Sequence, residues 1–377
     1  MKKILSVLLC LVLVVSLFAA CGGGSTPDPT PAPAPAATPA PADTGGDDTP
    51  EEPQQEVKRI AAIMNTVGVN PFLTQVVDEL AALYASGQFP MEYTIIECGD
   101  IAAFGENIRA SVEEGYDLII SVGFQGADAI AEISQMFPDR ARFAIIDTIA
   151  DSPYVTSVTF NPAEAAYLIG IIAAMVSADQ GQPNGPFGAV HANPGQGSFE
   201  WRYGLMRGVM SINPDVTTDD FIFNYTRSFT DAALAKELAL QQAAQGAIFI
   251  NAASAVADFG TFEAAQEVGF FTSGQDADRT TPDNPNVLTT QLKYTGMATR
   301  MIVEAFFNGT LEPGVTRLGL QDGGVGAAHI TSPGLFRNYE ILTDEIIEAA
   351  RRGWEDILAG RVSLSPVPLE EDFMGEN

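Results

Sequence analysis

Apolar residues in this chain come in short continuous runs that alternate with stretches of helical period. Lys58–Met64 is an apolar run of strand length, and Pro71–Ser86 follows with helical spacing and a proline near its first turn. The alternation continues with strand Tyr93–Glu97, helix Ile101–Glu114, strand Asp117–Val122 and helix Ala127–Met136. Strands Arg142–Ile146 and Tyr154–Thr159 come next, then a long helix from Pro162 to about Ala178. The pattern restarts at strand Phe187–His191. It runs through helix Ser198–Ser211, strand Phe221–Tyr225, helix Asp231–Gln245, strand Ala247–Asn251 and helix Phe259–Val268. Short strands then read at Phe270–Ser273 and Val287–Leu292. Continuous apolar strands are expected of parallel sheets covered on both faces. Two successive sets, divided near 160 and 185, predict an α/β protein of two doubly wound lobes.

The N-terminus has a different pattern. Lys2 and Lys3 precede an apolar run, Ile4–Ala20, that ends in Leu17-Phe18-Ala19-Ala20-Cys21. A charged start and an apolar core predict a secretion signal over 1–20. Small residues before a cysteine resemble a bacterial lipobox, with Phe18 where an aliphatic residue is usual. Cys21 is then the lipidated N-terminus, which places the protein on the extracytoplasmic face of the cell membrane. An uncut membrane anchor and an ordinary signal are the alternatives. Residues 21–56 are rich in Pro, Ala, Thr and acid, and predict a disordered linker. At ~3.1 Å per residue such a tether reaches up to roughly 100 Å.

Charge and rare residues narrow the function. The formal charge is −29, and cleavage before Cys21 would make it −31 by removing two lysines. Nucleic acid is excluded as a partner, because phosphate binding needs clustered cations. The three cysteines, Cys10, Cys21 and Cys98, form no metal spacing, and Cys98 reads as an inert thiol. His191 and His329 have no recognisable catalytic partners, and there is no GxSxG, HExxH or P-loop. The run from Asp276 to Thr280 matches a calcium loop only in part, lacking its glycine and final glutamate. Glu200-Trp201-Arg202, near Gly195-Gln196-Gly197, reads as an ordinary helix start, with a ligand rim or a permease-docking surface as the alternatives. No enzyme activity, cofactor or metal is expected.

The stretch with most chemistry is 269–293, GFFTSGQDADRTTPDNPNVLTTQLK. It predicts a strand turning through Gly274, with Asp276 and Asp278 just past its end, and a second strand ending on Lys293. Ligands of open α/β folds bind beyond the carboxyl ends of strands. A carboxylate there can accept a pair of sugar hydroxyls, and a lysine can donate from the facing side. On spacing alone, solvated loop carboxylates and a lysine capping a strand are the favoured reading. Gly123 and Phe124, at another strand-to-helix turn, offer close backbone approach to a ligand, or a plain turn.

Seven stretches resemble the basic membrane protein (BMP) family of lipoproteins, purine-nucleoside receptors that feed ABC importers. They are GYDLIISVGF (115–124), FPDRARFAIIDT (137–148), SVTFNPAEAAYLIGIIAA (157–174), SFTD (228–231), GQDADR (274–279), NVLTTQLK (286–293) and GLQDGGVG (319–326). The resemblance implies a type I periplasmic-binding architecture with three crossovers. Lobe 1 is expected over 57–158 plus 291–318, and lobe 2 over 159–290 plus 319–377. It also implies a monomer that binds a nucleoside between closing lobes and delivers it to an ABC permease. Carried over by motif, Asp276 holds ribose hydroxyls, Lys293 is the site lysine and Phe262 stacks on the base. Arg279 stands where the family has glutamine. The family's Asp and Ser-Phe-Asn after the first strand are replaced by GVNPFLT (68–74), where Asn70 and Phe72 are the candidate polar reader and stacking ring. Asn-Pro-Phe is similar to sugar-binding proteins of the same architecture, so a free sugar is the alternative ligand.

Overall fold

The computed structural model describes residues 56–375 of the 377-residue chain. The expected signal, Cys21 and the linker up to residue 55 lie outside the described residues.

Two six-stranded sheets form the frame. The first contains β1 (Lys58–Asn65), β2 (Met91–Cys98), β3 (Leu118–Val122), β4 (Arg142–Ile146), β5 (Val155–Phe160) and β11 (Gly314–Leu318). Its order is β11-β5-β4-β3-β1-β2, parallel throughout. The second contains β6 (Phe187–His191), β7 (Phe221–Tyr225), β8 (Phe249–Ala253), β9 (Phe271–Asp276), β10 (Val287–Lys293) and β12 (Val325–Ala327). Its order is β12-β10-β9-β8-β6-β7, with β12 antiparallel to β10. Strand by strand, the second sheet repeats the first. β3, β6, β8, β9 and β10 are buried at every position, as the continuous apolar runs require.

The helices follow local signals. α1 (Pro71–Ser86) is capped by Asn70, whose Oδ1 accepts the Phe72 N–H at 3.0 Å, and stops at Gly87, left-handed at φ 64°. α2 (Ile101–Glu113) and α3 (Ala127–Met136) complete one flank of lobe 1. α4 (Pro162–Asp179) is apolar all round because it is a core helix. It packs against α5 (Gln196–Ile212), α9 (Asp344–Leu358) and the second sheet. α4 and α5 touch backbone to backbone: a methyl at Gly170 or Gly204 would strike the carbonyl of Leu205 or Ala163. α6 (Ala232–Ala244) and α7 (Asp258–Val268) cover the other face of that sheet. α8 (Thr295–Phe307) packs on α1 in the first lobe, and α10 (Glu370–Met374) ends the described chain.

The chain crosses between the sheets three times, at Asn161, Tyr294 and Gly319. β5 therefore keeps residues 159 and 160 in the first lobe. Residues 291–293 belong to the second, because β10 pairs with β9 and β12 through Lys293. Residue 291 is thus not the return point. β9 also runs three residues past its expected end. Gly274 is not a turn but pairs with Thr290 inside the ladder, with the Arg279 side chain lying where its Cβ would be.

Candidate functional site

The carboxyl ends of β4 and β9 occupy equivalent places in the two sheets, and each delivers an aspartate in left-handed conformation. Asp147, just after β4, has φ 73°; Asp276, the last residue of β9, has φ 69°. Aspartate tolerates this backbone better than most residues. Lys293, at the end of β10, lies between them in electrostatic reach of both. Its Nζ donates to Asp147 Oδ1 at 2.9 Å and Oδ2 at 3.0 Å, an ion pair across the cleft between lobes.

Three aromatic rings surround the same ammonium. Nζ is 5.2 Å from the Trp201 ring centre, 5.5 Å from Phe72 and 5.7 Å from Phe160. These distances suit cation–π attraction, and the rings supply flat apolar walls. Burial alone would pull the Lys293 pKa down, but Asp147, Asp276 and Glu200 outweigh it and hold the ammonium above its ordinary value. Gln75 of α1 stitches the lobes beside it, donating from Nε2 to the Lys293 carbonyl at 3.0 Å. Arg317 of β11 and Glu200 of α5 form a second cross-cleft pair at 2.7 Å.

Asp276 differs from its counterpart. It is 4% exposed, and its Oδ1 has no hydrogen-bond partner. Burial pushes its carboxyl up to about 6; Lys293 pulls it down and Asp147 pushes it further up. A buried oxygen without a partner is costly and calls for a group to satisfy it. A ligand bearing hydroxyl donors, flat enough to lie among the rings, fits that demand.

The other sequence candidates fall in different surroundings. Asn70 uses its Oδ1 to cap α1, which leaves only its amide free to read a ligand. Gly123, at φ 88°, begins the turn after β3, and Phe124 beside it is exposed on the rim of the first lobe. Phe262 is buried against Ala252 and Val287, inside the second lobe. Its ring lines a recess of about 450 Å³ shared with Phe259, Asp278, Arg279, Thr280 and Asn284; neither Lys293 nor Trp201 lines it. Asp278 accepts from the backbone N–H of Thr280 and Leu335, so it pins two loops together. His191 bonds Asn251 at 2.9 Å and is held neutral by burial, down to about 4.

Asp147, Phe160 and Gln75 are not singled out by the sequence, and Trp201 is noted there first as part of a helix start. Asp147 lies within the quoted FPDRARFAIIDT stretch, and the strand-end rule that selected Asp276 selects it as well. Trp201 stands in the Glu200-Trp201-Arg202 stretch, whose ligand-rim reading its place beside Lys293 favours.

The fold is shared with solved solute-binding proteins of ABC transporter systems. A solute-binding protein of an ABC transporter system from Aeropyrum pernix K1 superposes with a TM-score of 0.70 at 22% identity, covering 82% of this chain and 94% of that one. The family described as "ABC transporter substrate-binding protein PnrA-like" matches residues 98–366. The chain belongs to this Bmp family, a family of binding proteins and not of enzymes. Basic membrane protein B of Borrelia garinii subsp. bavariensis is 28% identical over 245 residues, 62% of this chain and 69% of the relative. The ABC transporter nucleoside-binding protein BmpA of Lactococcus lactis subsp. cremoris is 24% identical over 291 residues, 72% of this chain and 78% of that protein.

Proposed function

We propose that this receptor captures a nucleoside, with purine nucleosides favoured, between its two lobes and hands it to an ABC permease. The observation that carries the reading is the unpartnered Asp276 carboxylate beside Lys293 and three rings. Asp276 accepts the two ribose hydroxyls, in hydrogen bonds strengthened by its charge. Phe72 and Trp201 sandwich or flank the base, and Lys293 with Asp147 supplies a donor and an acceptor to its polar edge. The nucleoside-binding relative supports the ligand class. Cys21 anchors the receptor by lipid on the extracytoplasmic face, as a monomer. A free sugar is the second reading, favoured by Asn70-Pro71-Phe72 and served by the same carboxylate.

Competition calorimetry with inosine, adenosine, ribose and galactose tests the reading, together with native mass spectrometry of the purified protein. Nucleosides binding at least tenfold tighter than either sugar support it. Sugars binding as tightly as nucleosides, or more so, overturn it. For the anchor, Cys21→Ala is expected to leave the membrane fraction; retention of an uncut chain there rules lipidation out.

A further inference from the structure

α5 is held from outside the cleft by the end of the chain. Its Arg202 is 1% exposed, the largest side chain so fully buried. The guanidinium lies 5.2 Å from the Phe199 ring centre, 5.2 Å from Tyr225 and 5.5 Å from Phe223. Its only carboxylate partner among the described residues is Glu370 of α10, reached through both terminal nitrogens, Nη2 at 3.0 Å. One and a half turns earlier, Gln196 clasps the same segment. Its Nε2 donates to the Pro368 carbonyl at 2.8 Å, and its Oε1 accepts the Glu370 N–H at 3.2 Å. Phe373 packs edge-on against Tyr203 at 5.0 Å and against Phe199 at 6.1 Å.

Gln196, Phe199, Arg202 and Tyr203 are spaced three, three and one apart, so they form one stripe of α5. Glu200, one turn after Gln196 at the border of that stripe, meets Arg317 of the first lobe, and Trp201, on the far side of the helix, meets Lys293. The helix start has no cap of its own, because Gly195 brings no side chain. We propose that residues 368–374 form a positioning strap, which fixes the rotation and height of α5 and so sets Trp201 and Glu200 for the ligand. This rests on the reading of Trp201 as a ligand-facing ring. Without Glu370 the buried guanidinium has no counter-charge, and α5 must turn or lift to hydrate it.

The test is Glu370→Gln in the full chain, which keeps shape and backbone contacts but removes the charge. Inosine affinity is measured by calorimetry in wild-type and Trp201→Ala backgrounds. We expect a loss of roughly 5- to 30-fold in the first and less than about twofold in the second. Equal losses in both backgrounds, or none in the first, overturn the strap. A ligand-free reading keeps the test independent of the nucleoside. With Trp354→Phe leaving Trp201 as the sole indole, Glu370→Gln should shift its emission to the red. An unchanged spectrum overturns the strap whether or not inosine binds.

Discussion

Asp147 and Asp276 stand at matching places in two lobes that repeat one strand order, in the same left-handed backbone, yet they do different work. Asp147 has both oxygens on Lys293 and remains partly exposed. Asp276 is sealed, with one oxygen unpartnered and its carboxyl raised to about 6. The difference follows from their neighbours. Asp147 faces across the cleft to a cation at a strand end of the opposite lobe. Asp276 shares a sheet with that cation but lies beside it, at the end of the adjacent strand β9. The first aspartate holds the lobes together, and the second is left with bonding capacity for a ligand.

The largest effect should come from removing that capacity. Asp276→Ala is expected to cost about 2–4 kcal/mol of nucleoside binding, or roughly 30- to 1000-fold in affinity. Calorimetry with a nucleoside and its 2′-deoxy form checks the cause. The penalty for losing the 2′-hydroxyl must shrink sharply in the variant; if both proteins bind both ligands alike, Asp276 is not the ribose acceptor.

Asp147→Ala should act mainly on the protein itself. It leaves Lys293 buried with a weaker set of counter-charges, lowering stability by about 1–3 kcal/mol. Asp276→Ala should leave ligand-free stability unchanged or higher. Thermal melts of the two variants side by side decide whether the contrast is real.

The pH dependence sharpens it further. A carboxyl raised in the folded chain holds its proton more tightly folded than unfolded. Its stabilising contribution is therefore complete below the unfolded value, about 4, and is lost as the pH rises through about 6. Asp258, raised to about 8 chiefly by burial, behaves likewise over a higher window. Asp276→Asn does not titrate, so its ligand-free melting temperature should gain on the wild type between pH 4 and roughly pH 7. A constant gap across that range would show that the carboxyl is not raised. Phe262→Leu should have the smallest effect, less than about threefold in nucleoside affinity, because its ring lines the recess beside Phe259 and Arg279 and not the space around Lys293. A tenfold loss would return Phe262 to the ligand.

Much of this molecule was legible before its structure. Pro71–Ser86 and Ala127–Met136 are helices to the residue, because each is bounded by a local signal. Ten of the twelve strands are evident as apolar runs, since a strand covered on both faces admits little else; the edge strands β11, largely exposed, and β12, three residues long, carry no such run. Asp276 and Lys293 stand at the ends of β9 and β10, where α/β folds present chemistry, and their part in ligand binding is a proposal. β9 was read too short because Gly274 is a turn residue by habit; here it makes room for Arg279.

The sequence alone thus determined the type and order of the elements from Lys58 to Lys293 and the repetition of two α/β sets, but not β11, β12 or the helices α8 to α10 that follow. Those rest on periodicity and turn chemistry, which act over a few residues. Only the tertiary structure decided which groups meet. Asp147 finds Lys293 across 146 residues, and Arg202 finds Glu370 across 168. It also set Trp201 beside the ammonium and Phe262 in the recess it shares with Phe259 and Arg279. Such partners are set by the three crossings and the order of the strands, and no local pattern along the chain encodes them.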